Sequence, residues 1–505
     1  MYAYLKALSR PLSGLFPRKQ VLANDLLIGL TLAFVVLPQA IAFSTTLAGV
    51  PPYFGIYAAI WGVLITALFN SSRIFHGGPN STLSAVMGVT LLPVAPQFGA
   101  SYMGYALTLV LMAGLLQLLF WLIRPLSKLL DLMSEAVING MIFGIGLFLI
   151  LKSLTAFGGL PVNTETEWPL VIAWHNLNAV LEIGNMHAIQ IGLVTLLSAI
   201  VVRSFDRVKN WGILVGIVLG TVYAEYLSGK HGLENLLIEQ TADFSAIGFV
   251  FPSVPLFTQE ALPDIITIMP GAVTLAMLGL FQTVAAMRRM NRKTGQHVES
   301  QEGIAADAIS NCTLPFLSSL PTCASFNRMW LMYSMGAKTR WVAVSSAFFL
   351  LAFVLLFADW IAIIPIPAMA AVIMIVGANM MKWKDVRPHF SNWSEAIVFC
   401  TAFLSVHVLG LFGAVLVGSS LAMLHFKWRK LHPQVRVDEE GVLTIRGSLY
   451  YGSIPYIETA IKNALQEREQ VKLDLTSTSY IDAEGRRWIE EMQASDTVTV
   501  VGGTA

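Results

Sequence analysis

The chain has 505 residues, of which 55% are hydrophobic and 12% are charged, and its formal net charge is +1. A soluble globular protein carries about 25% charged residues, so the composition excludes an ordinary soluble domain and indicates an integral membrane protein. The near balance of basic and acidic residues gives no indication of a nucleic acid as partner.

Apolar runs long enough to cross a bilayer as a helix, roughly 20 residues each, follow one another from 25 to 426. Residues 1–24 lack the apolar core and cleavage site of a secretory signal, and we predict that they remain as a cytoplasmic N-terminal segment. The runs predict about fourteen transmembrane helices, at about 25–45, 53–70, 79–95, 103–123, 135–155, 186–203, 210–227, 268–288, 301–317, 323–336, 341–360, 363–381, 394–409 and 411–426.

The distribution of basic residues supports this count, because cytoplasmic loops of membrane proteins are enriched in Lys and Arg. The two long outer loops, about 156–185 and 228–267, contain one basic residue, Lys230. We therefore predict a multi-pass protein of the plasma membrane with both termini in the cytoplasm. With a cytoplasmic N-terminus, each even-numbered span ends near a basic residue, in order Arg73, Arg124, Arg203, Arg288, Lys338, Lys382 and Lys427.

The polar region 434–505 alternates strand-like and helical runs. The strand-like sequences VLTIRG and VKLDL flank a helical run at 454–466, and a second helix at about 483–493 leads into VTVVG. The pattern predicts a small α/β domain after a transmembrane domain at 25–430. An even number of spans would place this domain in the cytoplasm.

The third and tenth spans contain residues that interrupt a helix. In IFHGGPNSTLS (74–84), two glycines and a proline precede the helix-capping residues Asn80 and Ser81. In SSLPTCASFNR (318–328), Pro321 precedes small residues and Arg328. Secondary transporters hold substrates between half-helices of this kind near the middle of the membrane.

Matched breaks in two halves of the chain predict one cavity between them. Helix N-termini favour anions, and Arg328 adds a full positive charge. The alternatives are that the breaks are ordinary kinks and that Arg328 is a structural charge bonded to backbone carbonyls.

Four motifs resemble the sulfate permease (SulP) family of anion transporters, which includes the mammalian anion exchangers and prestin. They are LPQAIAFSTTLAGVPPYFGIYAA, SSRIFHGGPNSTLS, SFNRMWLMYSMGAKT and FGAVLVGSSLAMLHFKWRK. The resemblance implies an all-α membrane domain in which seven helices are repeated in inverted orientation, at about 25–227 and 268–426. It also implies core and gate domains, a C-terminal STAS domain and a homodimer.

By motif match, the resemblance implies an anion site on the first, third and tenth spans. Without the resemblance, Gln39 would be interpreted as a buried polar residue bonded to a neighbouring helix and Phe43 as a packing aromatic. The implied site residues are Gln39, Phe43, Gly78, Pro79, Asn80, Ser81, Ala324, Ser325, Asn327 and Arg328.

The chain departs from the family at the position used for coupling ions. Gln282 stands on the eighth span where many bacterial and plant members carry an acid for proton or sodium coupling, and glutamine does not titrate. We therefore favour exchange or uncoupled flux over coupling to H⁺ or Na⁺, although neutral oxygens also bind Na⁺. The other acids near the spans are expected toward segment ends, facing loops or partners: Glu135, Asp264, Glu302, Asp307 and Asp359.

A second departure lies in the C-terminal domain. The family's Asp-Ser-Ser/Thr-Gly turn is replaced by Asp482, Ala483, Glu484 and Gly485, which offer no hydroxyl for phosphorylation. We therefore expect this domain to support a dimer rather than to act as a phosphorylation switch.

These observations predict a transporter of small anions, such as sulfate, bicarbonate or chloride. It would work by alternating access, with its helices embedded in membrane lipid. Dicarboxylate transport, nucleobase transport and an anion channel are the alternatives. The nine histidines and three cysteines show no catalytic or metal-binding spacing, so we predict no enzyme, metal or cofactor. His76 lies beside the first break, where protonation would add positive charge; the alternative is a packing histidine.

Overall fold

The computed structural model describes residues 19–70, 72–91, 102–123, 135–160, 169–205, 208–231, 262–294, 300–391, 393–410 and parts of 412–424. In the C-terminal region it describes 434–438, 442–449, 454–467, 470–481, 488–490, 492–493 and 498–502. The chain divides into two compact units near Gly418. The first unit is helical, and the second is a small α/β domain.

The helices of the first unit follow the apolar runs of the sequence. Two short strands, β1 (Gly77–Pro79) and β2 (Thr322–Ala324), lie among them. The helices are α1 (Lys19–Ala42), α2 (Pro52–Phe69), α3 (Ser81–Leu91), α4 (Tyr102–Leu122), α5 (Glu135–Phe157), α6 (Pro169–Ile183), α7 (Met186–Ser204), α8 (Gly212–His231), α9 (Leu262–Thr294), α10 (Ser300–Thr313), α11 (Phe326–Ser334), α12 (Trp341–Ala362), α13 (Ile366–Met380) and α14 (Trp393–Val408).

Eight helical stretches of the described residues are long and apolar enough to cross a membrane, judged by length and composition. Three shorter apolar helices, Ser81–Leu91, Ile366–Met380 and Glu395–Val408, accompany them. The predicted fold class, a polytopic helical membrane protein with a small α/β domain, is confirmed. The predicted N-terminal segment lies largely outside the described residues, and the fourteenth span lies partly outside them.

The segment predicted as an outer loop at 156–185 contains a helix in its second half, α6, that the sequence analysis did not predict. Apolar side chains on this helix are exposed, among them Trp174 at 64% and Leu181 at 75%. The polar residues His175 and Asn176 interrupt the apolar run, and α6, with 15 residues, is shorter than the roughly 20 residues that cross a bilayer.

The end of α1 is irregular. It continues as a π-helical turn, Phe43–Ala48, which ends at Gly49 with φ of 67°. The Ser44 hydroxyl donates to the Ile41 carbonyl at 2.8 Å, within the preceding turn. Single π-helical turns are frequent at functional sites, and this one begins at Phe43.

The two predicted breaks form a pair of short, hydrogen-bonded strands. β1 and β2 are antiparallel, with Gly77 opposite Ala324 and Pro79 opposite Thr322. The N–H of Ser325 donates to the carbonyl of His76 at 3.2 Å and extends the pair. Extended backbone at membrane depth needs hydrogen-bond partners, and each strand supplies them to the other.

The sequence therefore predicted the interruptions but not their form. We expected half-helices that start near 79 and 323, whereas the helices start at Ser81 and Phe326 after a strand. Strand pairing joins residues that are far apart in sequence, and neither GGP nor TCA has the length of a recognisable strand.

A buried amide fixes β2 to the helices behind it. The side chain of Asn311 on α10 accepts from the N–H of Thr322 at 2.8 Å and donates to the carbonyl of the same residue at 2.9 Å. It also donates to Gln117 on α4 at 2.8 Å. Through these bonds the Asn311 side chain holds β2 against α4 and α10.

The second unit contains a five-stranded sheet. Its strands are β3 (Gln434–Val437), β4 (Val442–Leu449), β5 (Val471–Asp474), β6 (Thr478–Ile481) and β7 (Val498–Val501), and α15 (Ile454–Glu467) connects β4 to β5. The order is β3-β4-β5-β7 with β6 also paired to β4, and only the β3–β4 pair is antiparallel.

The buried core of this sheet includes Leu443, Ile457, Leu473 and Trp488. β4, α15, β5 and β7 agree with the prediction, whereas β3 and β6 were not predicted. The altered turn at 482–485 lies outside the described residues, as does much of the predicted helix at 483–493.

Candidate functional site

A cavity of about 590 Å³ lies in the first unit, at the ends of β1 and β2. α1, α3, α9, α11 and α13 contribute to its wall. The predicted residues that line it are Gln39, Phe43, Pro79, Asn80, Ser81, Gln282, Ala324, Ser325, Asn327 and Arg328.

Gly78 is the predicted site residue that does not line the cavity. It lies opposite Cys323 in the strand pair and is buried. A side chain on Gly78 would come within 3.4 Å of the Arg328 guanidinium. Gly78 therefore leaves room for the Arg328 side chain.

Arg328 is the central charge of the site. It is 5% exposed, and its Nη1 donates to the Pro79 carbonyl at 2.9 Å, which joins α11 to β1. Its Nε and Nη2 are buried and have no hydrogen-bond partner among the described residues. Buried guanidinium donors are costly to leave unpaired, so these two groups are suited to an anion.

Asn80 and Gln282 connect the start of α3 to α9. The Asn80 side-chain oxygen accepts from the N–H of Thr82 at 2.9 Å and caps α3, as its sequence position predicted. Its side-chain nitrogen donates to Gln282 at 2.8 Å. The Cys323 sulfur lies 3.5 Å from the same Gln282 oxygen, so the neutral amide bridges β2 and α3.

The starts of α3 and α11 both face the cavity. Ser81 and Thr82 line it at one helix start, and Phe326 and Asn327 line it at the other. The first N–H groups of a helix have no intrahelical partner and carry partial positive charge. Ser325 makes no side-chain cap at α11, which leaves the N–H groups there available to a ligand.

Further basic residues line the cavity. In the sequence, basic residues at helix ends indicated the cytoplasmic side and not a place in the site. Arg203 donates to Asn379 at 2.7 Å, and Arg289 bonds the side chain of Asn139. No Asp or Glu lines the cavity within the described part of the chain. The basic lining residues beside Arg328 are Arg203, Lys209, Arg289 and Lys382.

The expectation that Asp307 faces a loop or a partner is wrong. Asp307 lies within α10, is 1% exposed, and bonds the hydroxyl of Thr283 on α9. It also accepts from the N–H of Ala324 on β2 at 3.3 Å. The burial of Asp307 could not be predicted from the sequence, because the run around it, SQEGIAADAISNCT, is only weakly apolar and shows no clear buried face. Asp359, by contrast, is exposed.

His76 is buried just before β1, with 1% of its surface exposed. Its carbonyl accepts from Ser325, but both ring nitrogens lack a partner among the described residues. His76 does not line the cavity. The same part of the chain contains no group of three or more His, Cys, Asp or Glu side chains that could hold a metal.

Comparison with known proteins follows the two units. Residues 22–403 match the sequence profile of the sulfate permease family, and residues 432–495 match that of the STAS domain. YvdB of Bacillus subtilis (strain 168), a provisionally named sulfate transporter, is 25% identical over 492 residues, which are 92% of this chain and 87% of that protein.

Two solved structures share the fold. The transmembrane domain of the cyanobacterial bicarbonate transporter BicA has a TM-score of 0.68 at 22% identity, and covers 80% of this chain and 98% of its own. The murine anion transporter Slc26a9, solved in the inward-facing state, has a TM-score of 0.75 at 18% identity, with coverage of 99% and 88%. At these identities the likeness shows the fold alone.

Proposed function

The chain belongs to the sulfate permease family, and we propose that it transports small inorganic anions, held between the starts of α3 and α11. The observation that carries the proposal is the pair of unpartnered Arg328 donors at a cavity that is lined by basic and no acidic residues among those described. Pro79, Asn80, Ser81 and Ser325 complete the anion site in this proposal.

We infer alternating access from the placement of the basic lining residues. Arg203, Arg289 and Lys382 lie at the helix ends that the positive-inside rule assigns to the cytoplasm, so the cavity faces inward. Transport would then require the helices around β1 and β2 to move relative to α5, α7 and α13. We further propose a plasma-membrane homodimer with cytoplasmic termini, acting in transport and not in catalysis.

Uptake into liposomes that contain the purified protein tests this function. Labelled sulfate, bicarbonate, chloride and succinate are offered separately, with sodium and proton gradients imposed or abolished one at a time. We expect saturable uptake of an inorganic anion, which other inorganic anions inhibit by competition. Uptake of succinate alone would identify a dicarboxylate transporter, and uptake that does not saturate would identify a channel.

A further inference from the structure

A buried carboxyl group lies directly behind the proposed anion site. Oδ2 of Asp307 accepts two hydrogen bonds, from the Thr283 hydroxyl and from the N–H of Ala324. Oδ1 is equally buried but has no hydrogen-bond partner within the described residues. No cationic side chain forms an ion pair with Asp307 in that part of the chain. A buried carboxyl group in such a place is neutralised by a cation or by a proton.

One residue separates this carboxyl group from the cavity. Ala324 lines the cavity and bonds Asp307 through its N–H. Thr283 follows Gln282, which bonds Asn80 at the start of α3. A negative charge on Asp307 therefore lies next to the backbone that faces the anion, and like charges repel each other.

The geometry favours a proton over a metal ion as the occupant. The main-chain N–H of Ala324 points at Oδ2, and an N–H donor cannot coordinate a cation. Metal ions take several oxygen ligands, whereas a proton needs only one oxygen, and Oδ1 has no partner among the described residues.

We propose that Asp307 is a proton-binding site coupled to the anion site, so that a proton and an anion bind cooperatively. A proton on Asp307 removes the negative charge behind β2 and strengthens anion binding. By linkage, a bound anion favours the protonated form of Asp307 to the same degree. The proposal rests on anion transport as the function, and it gives the chain a titratable group beside the neutral Gln282.

Few other titratable groups lie on the described elements around Asp307, and α10 itself carries Glu302 and Cys312. The facing half of α2, Val63–Phe69, has none, and α4 carries only Tyr102 and Tyr105. α9 contributes the hydroxyl of Thr283, and β2 contributes the Cys323 thiol, which lies near the charges of both Asp307 and Arg328. His76 lies near the charge of Arg328. Cys323 and His76 are thus the competing sources of a pH effect.

The test measures sulfate binding to the full chain in sodium-free lipid nanodiscs, at about pH 5.5 and about pH 8, a range in which sulfate keeps its charge. We expect the Kd to be about fivefold or more lower at the acidic pH, as for ordinary couplings between sites. In weak buffer, sulfate should cause proton uptake that a pH dye detects. Asp307→Asn should vary less than about twofold in Kd and take up no protons.

Matched variants assign the effect. Asp359→Asn removes an exposed acid and should keep the pH dependence, as should Cys323→Ser and His76→Gln. If Asp307→Asn does not fold, Thr283→Val removes one bond to the carboxyl group and should shift the midpoint of the pH dependence.

Three results would overturn the proposal. They are wild-type binding that is independent of pH and takes up no protons, binding that requires sodium, and a pH effect that is lost with His76→Gln but kept with Asp307→Asn. In each of these cases anion binding persists and the proposed function stands. Failure to bind any anion at either pH would instead reject the proposed function together with this inference.

Discussion

Among the described residues, Arg328 makes a single main-chain bond, to Pro79, and its Nε and Nη2 donors are buried without a partner. A residue that served only to bridge carbonyls would use all of its donors in that way, because each unpaired buried donor costs roughly 1–3 kcal/mol. The arrangement thus favours a ligand role for Arg328 over the structural alternative.

Replacing Arg328 should weaken anion binding without preventing membrane insertion. We expect Arg328→Ala to raise the Kd for sulfate by about 10- to 100-fold, because hydrogen bonds from a charged donor contribute about 1.5–3 kcal/mol. Arg328→Lys should recover part of the affinity. Equilibrium binding to purified protein measures both, with helix content checked by circular dichroism.

The control for this series is Arg387→Ala, which removes an exposed arginine that does not line the cavity. It should leave the Kd unchanged. An unchanged affinity in Arg328→Ala would return Arg328 to a structural role.

Asn311 supports the site indirectly by bonding both main-chain groups of Thr322. Asn311→Ala should leave these groups unpaired and lower the free energy of unfolding by about 1–3 kcal/mol. Thr313→Ala on the same helix is the control, because its exposed hydroxyl bonds the Ile309 carbonyl of its own helix. Equal unfolding temperatures of the two variants would contradict this account of β2.

At the scale of elements, the fit of α3 against the π-helical turn of α1 positions Phe43. Gly88 on α3 has no room for a side chain, because a Cβ there would overlap the carbonyl oxygen of Leu47 in that turn. Backbone cannot give way as a flexible side chain does, so the two segments meet at a fixed distance. Leu47 and Phe43 lie on the same turn, and Phe43 lines the cavity.

We expect Gly88→Ala to lower the free energy of unfolding by about 1–3 kcal/mol through overpacking and to reduce uptake by displacing Phe43. Gly229→Ala is the matched control, because no described residue lies within 4 Å of a Cβ at that exposed position of α8. The control should be neutral or stabilising by up to about 1 kcal/mol, as expected for alanine in a helix. Thermal unfolding and liposome uptake measure the two effects, and identical behaviour of the two variants would refute the fit.

The elements also show how far the sequence predicts the structure. Long apolar runs predicted helices such as α4 and α12, because burial in lipid depends on local composition. The strand pair, α6 and the inward position of Asp307 depend on distant contacts or on mixed composition, which local patterns do not contain. The site residues that the motifs indicated line one cavity, apart from Gly78, which lies in the strand pair and does not line it. Arg203 and Arg289 also line the cavity but were not predicted as site residues.

At the scale of the whole molecule, transport requires that the cavity lose its opening on one side and gain one on the other. The Ser81 hydroxyl on α3 lies 3.8 Å from the Met380 sulfur on α13, across the cavity. In our proposal α3 belongs to the moving part and α13 to the static part. Their contact is therefore expected to change in each transport cycle.

Linking these two positions should arrest transport. In a background with Cys312, Cys323 and Cys400 replaced by serine, Ser81→Cys combined with Met380→Cys is treated with a short bifunctional thiol reagent. We expect uptake to fall to background in the double variant, whereas Met380→Cys alone, which lies outside the proposed anion site, should keep more of its uptake after the same treatment. Undiminished uptake by the linked protein would show that α3 and α13 do not separate during transport.

The location of a bound anion tests the central claim most directly. Crystals of the full chain soaked in bromide or selenate would reveal the anion by its anomalous scattering. We predict a peak within hydrogen-bond distance of the Arg328 guanidinium, between the starts of α3 and α11. A peak elsewhere in the protein, with this position empty under conditions that support uptake, would contradict the account.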